Sequence, residues 1–248
     1  MQRLPSWFAL LLCLAPGVNC FAYEPASAYE EVSVAGLTVM ISPELKDHPA
    51  ATQAALDEIG KQLGEIEAAV DPALREWFGS VRIWLEWRRK PNGAAEYHPS
   101  RRWLEANGYN PEKEKSIEIN NARNFVDWSR RAQPSMLLHE LAHAFHHQVL
   151  GFDDEEILKT FRQARDSERY LEVEHVNGSR GRAYAMMDEK EYFAELTEAF
   201  FGRNDFYPFD REELKEFDPE GFSLMQRKWK LPPPEDEMDP VASGNPRR

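Results

Sequence analysis

The feature that most constrains this chain is an apolar segment, residues 134–151, that carries two histidines and a glutamate in the pattern H-E-x-x-H. Residues four apart on a helix lie on one face, about one turn apart, so His139 and His143 can direct two imidazoles at one cation. Glu140 follows the first histidine, within reach of a water held by that cation. Two histidine ligands, an open coordination position and a carboxylate base are typical of a zinc hydrolase.

The surrounding sequence predicts that this segment is one helix packed in the protein interior. Pro134 suits the first turn, where its missing N–H costs nothing, and Gly151 suits the residue just past the end. Apolar residues recur at helical spacing on both sides of the motif: Leu138, Leu141, Ala142, Phe145 and Val149. A helix that holds zinc has to cross the interior, so this context supports a zinc site more strongly than the five-residue match alone.

A catalytic zinc ion usually has three protein ligands, so a further one is needed. His147 cannot supply it, because eight helical residues separate it from His139 by about 12 Å. We interpret His146 and His147 as ordinary polar residues of the helix. Further along the chain, the segment E-Y-F-A-E places Glu191 and Glu195 on one face of a helix among apolar neighbours. We assign Glu191 as the third ligand and Glu195 as the acceptor of the outer N–H of His139, and the reverse assignment stays open.

The motifs HELAH and EYFAE together resemble the gluzincin metallopeptidases, and their layout is similar to the branch of anthrax lethal factor and Pro-Pro endopeptidase. The resemblance covers residues 134–201, and it implies the two motif histidines and Glu191 as ligands and Glu140 as the base. It also implies that Tyr184, which stands seven residues before Glu191 as a tyrosine does in that branch, helps to stabilise the oxyanion. The N-terminal third carries no such resemblance, and no substrate class follows from it.

The pattern of elements predicts an α+β fold. Alternating runs predict strands at 32–41, 81–87 and 116–120. Apolar periodicity predicts helices at 50–70, 153–165, 188–201, 211–217 and 221–229. A hairpin is predicted at Asn177-Gly178. Together with the resemblance, this order implies a zincin-like metallopeptidase domain: a small mixed sheet packed on the active-site helix, with a helical C-terminal part. Residues 116–120 are the candidate edge strand for pairing with an extended substrate.

The N-terminus predicts export. Residues 1–22 contain Arg3 and then an apolar run, residues 7–14, that is too short to span a bilayer. We expect a signal peptide cleaved after Ala22, with a lipoprotein anchor at Cys20 as the competing interpretation. Cleavage removes both cysteines, so the mature chain would be stabilised without disulfides. We therefore expect a secreted or periplasmic protein.

The rest of the chain predicts one domain over residues 23–231. Residues 232–248 are rich in proline, acidic and small residues, so they are expected to form a disordered tail. Hydrophobic residues make up 42% and charged residues 29% of the chain, as in a globular domain without a membrane span. The net charge of −13 argues against nucleic acid or an anionic membrane as a partner.

The leading expectation is an exported zinc-dependent metallopeptidase with one zinc ion per chain and a protein or peptide substrate. An amidase or deacylase that acts on a non-peptide amide needs the same metal site and is the first alternative. A non-catalytic, zinc-stabilised binding module is the second. Glu140 argues against that module, because a structural zinc site is usually closed by four protein ligands and has no use for a free carboxylate.

Overall fold

A five-stranded mixed sheet supports the N-terminal half of the chain in the computed structural model, which describes residues 23–230. Its strands are β1 (Glu30–Val34), β2 (Leu37–Ile41), β3 (Ile83–Leu85), β4 (Glu96–His98) and β5 (Ser116–Ile119). Their order in the sheet is β1-β2-β3-β5-β4, and β3 runs parallel to both of its neighbours. The expected signal peptide and C-terminal tail, residues 1–22 and 232–248, lie outside the described residues.

Helices dominate the rest of the described chain, which confirms the α+β class. They are α1 (Pro49–Ala69), α2 (Pro72–Gly79), α3 (Arg101–Ala106), α4 (Ala122–Arg131), α5 (Met136–Phe145), α6 (Glu155–Asp166), α7 (Glu189–Phe201), α8 (Arg211–Phe217) and α9 (Pro219–Lys228). A two-stranded hairpin, β6 (Val173–Glu174) and β7 (Arg180–Gly181), surrounds the predicted Asn177-Gly178 turn. Within residues 23–230, no helix has the length and apolar character needed to cross a membrane.

The segment predicted as one strand at 32–41 is a hairpin of two strands. Ala35 and Gly36 have φ angles of 45° and 82°, which place both residues in the left-handed region. A two-residue turn of this kind matches the twist of antiparallel strands, and it pairs Val34 with Leu37 directly. The chain therefore turns back on itself at Gly36, and β2 rather than β1 continues into the parallel part of the sheet.

The strand at 116–120 is not at the edge of the sheet, which corrects the expectation from the sequence. It corresponds to β5, which lies between β3 and β4. The edge on this side is β4, a three-residue strand antiparallel to β5. Such a short strand has too few residues for an alternating pattern, and so the sequence gives it no signal. Any extended ligand that pairs with this side of the sheet has to pair with β4.

Helix α5, which carries the H-E-x-x-H motif, is largely buried in the core. It packs against β4 and β5 on one side and against α7 on the other. Leu141, Ala142 and Phe145 are fully buried, in agreement with the predicted apolar face, whereas Val149 of that face is only partly buried. This packing fixes α5 relative to α7, and these two helices carry the predicted metal ligands.

Candidate metal centre

The helix that carries the H-E-x-x-H motif changes its form near its end. It begins at Met136, two residues later than predicted, and its last turn, His146–Leu150, is a π-helix. Gly151 then ends it with a φ of 84°. His139 and His143 lie in the regular α-helical part, and their side chains therefore share one face.

His146 and His147 lie apart from the motif histidines, in agreement with the prediction from the sequence. His146 is not, however, the ordinary polar residue that the sequence suggests. It is fully buried, its ring contacts Phe152 and Phe193, and burial lowers its pKa to about 4. The Nδ1 atom of His147 lies 2.9 Å from the hydroxyl of Tyr97. The π-helical turn is the physical reason for the difference, because it changes the angle at which these two side chains leave the helix.

Three donor atoms from α5 and α7 meet at one point. The Nε2 atoms of His139 and His143 are 3.1 Å apart. The Oε2 atom of Glu191 lies 3.1 Å from the first of these nitrogens and 3.3 Å from the second. Ligands about 2.1 Å from a tetrahedral zinc ion are about 3.4 Å apart, so this triangle has the size of one face of a zinc site. Two imidazole nitrogens and one carboxylate oxygen are also a donor set that catalytic zinc uses.

The charges around this triangle favour a cation. Burial alone would lower the pKa of His139, but hydrogen bonds to Glu191 and Glu198 raise it well above its ordinary value. Burial would likewise raise the pKa of Glu191, but its contacts with His139 and His143 lower it. The carboxylates thus stabilise positive charge at the point where the two nitrogens meet.

The outer nitrogen of His139, Nδ1, contacts Glu198 and not the predicted Glu195. The Oε1 atom of Glu198 is 2.6 Å from Nδ1, whereas the Oε1 atom of Glu195 is 3.9 Å away. The reason lies in the helical period. Seven residues after Glu191 an α-helix returns to within about 20° of the same direction, but four residues after it the direction differs by about 40°. The side chain of Glu198 is therefore better aligned than that of Glu195 with the side chain of Glu191.

Glu195 and Glu198 form the buried layer behind the metal centre, together with Asp205. Burial and the nearby carboxylates of Glu198 and Asp205 raise the pKa of Glu195 well above its ordinary value. Burial also raises the pKa of Glu198, to about 7, although the hydrogen bond to His139 opposes this change. Since like charges repel in a buried site, each of these carboxylates disfavours the ionised form of the others.

Glu140 has the surroundings of a free base. Its side chain is 7% exposed and lines the pocket beside the metal centre. Its carboxylate accepts no hydrogen bond from any residue in the described range 23–230. Burial raises its pKa above the ordinary value, which favours uptake of a proton.

Tyr184 lies at the same pocket, on a short 3₁₀ turn, Tyr184–Met186, that follows β7 in the chain. Its ring centroid is 6.4 Å from that of His139. Burial raises the pKa of its hydroxyl to about 12, so the hydroxyl remains a donor at neutral pH. The other tyrosine of this region, Tyr192, is fully buried and donates to Asp218 Oδ2 at 2.7 Å, away from the pocket.

A pocket of about 250 Å³ opens beside the motif residues. Trp128, Gln133 and Met136 line it together with Glu140 and Tyr184. Trp128 belongs to α4, a helix that the sequence did not predict. A tryptophan within a polar segment is the only sequence feature that could have indicated a role for this residue. The pocket places an aromatic and an apolar side chain next to the predicted base.

A second group of potential ligands, Glu96, His98 and Glu118, lies between β4 and β5. The buried amine of Lys113 is 2.6 Å from Glu118 Oε1 and also hydrogen-bonds Glu86. His98 Nε2 lies 2.7 Å from the other oxygen of Glu118. The lysine therefore already supplies the positive charge that a metal ion would bring, and this group is a structural ionic cluster.

No match was found when this chain was compared with profiles of known protein families, with curated proteins and with solved structures.

Proposed function

We propose that this chain is an exported zinc-dependent metallopeptidase with a zincin-like fold, and that it belongs with the gluzincins. The observation that carries the proposal is the triangle of His139, His143 and Glu191 donor atoms, with sides of 3.1 to 3.3 Å, beside the free carboxylate of Glu140. These three residues would hold one zinc ion. When bound, zinc supplies Lewis acidity that polarises a carbonyl group and lowers the pKa of a coordinated water.

Glu140 acts as the general base and then as the general acid. It faces the pocket without a hydrogen-bonding partner in residues 23–230, so its carboxylate is free to accept the proton of the attacking water. The proton then passes to the leaving amine, which needs it because an amide nitrogen is a poor leaving group. The raised pKa of Glu140 makes the uptake of this proton easier.

Tyr184 and Glu198 support the same reaction from two sides. The hydroxyl of Tyr184 is protonated at neutral pH and donates a hydrogen bond to the developing oxyanion. Glu198 accepts the Nδ1–H of His139 and so keeps the lone pair of Nε2 directed at the metal centre. An extended peptide pairs with the free edge of β4, which packs next to α5.

A peptide library tests this function. The purified chain is incubated with the library with and without zinc, and with a chelator. We expect cleavage that the chelator abolishes and zinc restores, and none from the Glu140→Gln variant. An intact library in all arms would overturn the peptidase. Zinc-dependent release of an amine from non-peptide amides would then favour the amidase or deacylase.

Export is tested separately. We propose that residues 1–22 act as a signal peptide, on the apolar run that follows Arg3. Sequencing of the mature N-terminus after expression in a bacterium should start at Tyr23. A lipid-modified N-terminus at Cys20 would establish the lipoprotein instead.

A further inference from the structure

A groove of about 550 Å³ lies between the start of α1 and the exposed face of α4. Four arginines line it, with a single acidic side chain among the lining residues. Its polar lining consists of Arg88, Arg123, Asn124, Asp127, Arg130 and Arg131, and we call it the arginine groove. The whole chain has a net charge of −13, so this concentration of positive charge is local and opposite in sign to the rest of the protein.

Two of the four arginines have acidic partners and two have none. Arg131 forms an ion pair with Asp127 at 2.8 Å, and Arg130 lies 3.5 Å from Glu58. Within residues 23–230, the guanidinium groups of Arg88 and Arg123 make no ion pair or hydrogen bond, unlike those of Arg130 and Arg131. Arg88 follows β3 and Arg123 belongs to the first turn of α4, so the two free groups come from different elements.

The arginine groove shares a wall with the pocket of the metal centre. Asn124, which lines the groove, donates hydrogen bonds from its side-chain amide to the carbonyl oxygens of Pro91 and Gly93, at 2.9 and 2.8 Å. Gly93 in turn lines the pocket, as does Trp128 one helical turn beyond Asn124. The contact between Asn124 and Gly93 thus connects one lining residue of the groove with one lining residue of the pocket.

We propose that the arginine groove binds acidic side chains of the peptide substrate through Arg88 and Arg123, and so selects acidic peptides. The proposal rests on the proposed peptidase function. Guanidinium groups bind carboxylates with two parallel hydrogen bonds, which suits aspartate and glutamate side chains. The strongly negative charge of the whole chain opposes long polyanions such as nucleic acid, but a short acidic segment meets only the local positive charge.

Binding is measured first, without hydrolysis. The zinc-loaded Glu140→Gln variant is titrated into a fluorescein-labelled peptide that contains four glutamates, and into the same peptide with four glutamines. We expect the glutamate peptide to bind about tenfold more tightly, with a difference that shrinks as salt is added. The further substitutions Arg88→Gln and Arg123→Gln, made together, should remove this preference.

The matched control makes the same change of charge elsewhere. Arg102 on α3 and Arg162 on α6 are exposed and lie outside the groove, so Arg102→Gln with Arg162→Gln should keep the preference for the glutamate peptide. Equal affinity for both peptides, or an unchanged preference after loss of Arg88 and Arg123, would overturn the inference. Binding to phosphatidylglycerol vesicles by a chain with no peptide preference would also overturn it.

Hydrolysis by the unaltered chain separates the two proposals. We expect a lower KM for the glutamate peptide and little change in kcat, because the groove contacts the substrate away from the reacting bond. A chain that binds the glutamate peptide through Arg88 and Arg123 but cleaves neither peptide would support the groove and overturn the peptidase. A chain that cleaves both peptides with the same KM would overturn the groove and leave the peptidase standing.

Discussion

The Oε1 atom of Glu198 lies 2.6 Å from Nδ1 of His139, on the side of the ring opposite to the nitrogen that faces Glu191. In its ionised form Glu198 only accepts hydrogen bonds, so in that form the contact places a ring proton on Nδ1. The lone pair of Nε2 is then directed at the proposed metal site. Glu198, two turns along α7 from Glu191, thus sets the tautomer of His139.

This relationship gives different expectations for the two buried glutamates. Glu198→Gln should weaken zinc binding by about 10- to 100-fold, because the amide no longer holds the imidazole as a charged acceptor does. Glu195→Gln should weaken it less, since Glu195 is 3.9 Å from the same nitrogen. Competition with a chromogenic chelator measures both affinities. A larger loss for Glu195→Gln would return the supporting role to Glu195.

The three proposed ligands should behave alike and differ from the base. His139→Ala, His143→Ala and Glu191→Ala each remove one corner of the triangle, and we expect each variant to lose most of its zinc. Glu140→Gln should keep one zinc ion per chain and lose peptide hydrolysis, because its carboxylate is not a corner of the triangle. Metal analysis of the purified variants measures this. Full zinc in an alanine variant would contradict the ligand set, and loss of zinc in Glu140→Gln would make Glu140 a ligand.

Tyr184 should act on the reaction and not on the metal. Tyr184→Phe removes only the hydroxyl, and we expect kcat to fall by about 10²- to 10³-fold while zinc content and KM change little. Tyr192→Phe is the matched control. It removes a buried hydrogen bond to Asp218 and should lower the free energy of unfolding by about 1 kcal/mol without changing kcat. Steady-state kinetics that leave Tyr184→Phe at the parent rate would make Tyr184 a packing residue.

The sequence predicts those parts of the metal centre that depend on local helical geometry. His139 and His143 meet because they are four residues apart on one helix, and the apolar context of the motif predicts that this helix is buried. The contacts of Glu191 and Glu198 with the two nitrogens of His139 depend also on how α7 is rotated against α5. The helical period favours Glu198 over Glu195 only once the packing of the two helices has placed Glu191 at His139.

The elements around the centre were less predictable for similar reasons. Strand β4 has three residues, and α4 has a polar sequence whose only buried residues are Ala122, Phe125 and Ser129. Neither offers the repeated apolar pattern on which sequence interpretation depends. Their positions are set by partners distant in sequence, since β4 pairs with β5 and α4 packs against α1. The arginine groove, which α4 helps to form, could therefore not be predicted from the sequence.

The ionic cluster between β4 and β5 should control stability at acid pH. Burial alone would raise the pKa of Glu118, but the hydrogen bond with His98 and the charge of Lys113 lower it to about 2. The unfolded chain, in which this carboxylate has its ordinary pKa of 4.5, therefore binds more protons than the folded chain between these values. The contribution to the free energy of unfolding is present above about pH 4.5 and is lost as the pH falls towards 2.

Lys113→Met tests this cluster, because it removes the buried cation and leaves Glu86 and Glu118 facing each other without it. We expect the free energy of unfolding at pH 7 to fall by about 3 to 5 kcal/mol, the usual effect of breaking a buried ion pair. The loss of stability between pH 4.5 and 2 should also become smaller, since the pKa of Glu118 rises towards its ordinary value. Lys115→Met is the control, because Lys115 is exposed and the change in charge is the same. Urea unfolding at several pH values measures both variants, and equal stability of the two at pH 7 would mean that Lys113 does not stabilise the fold.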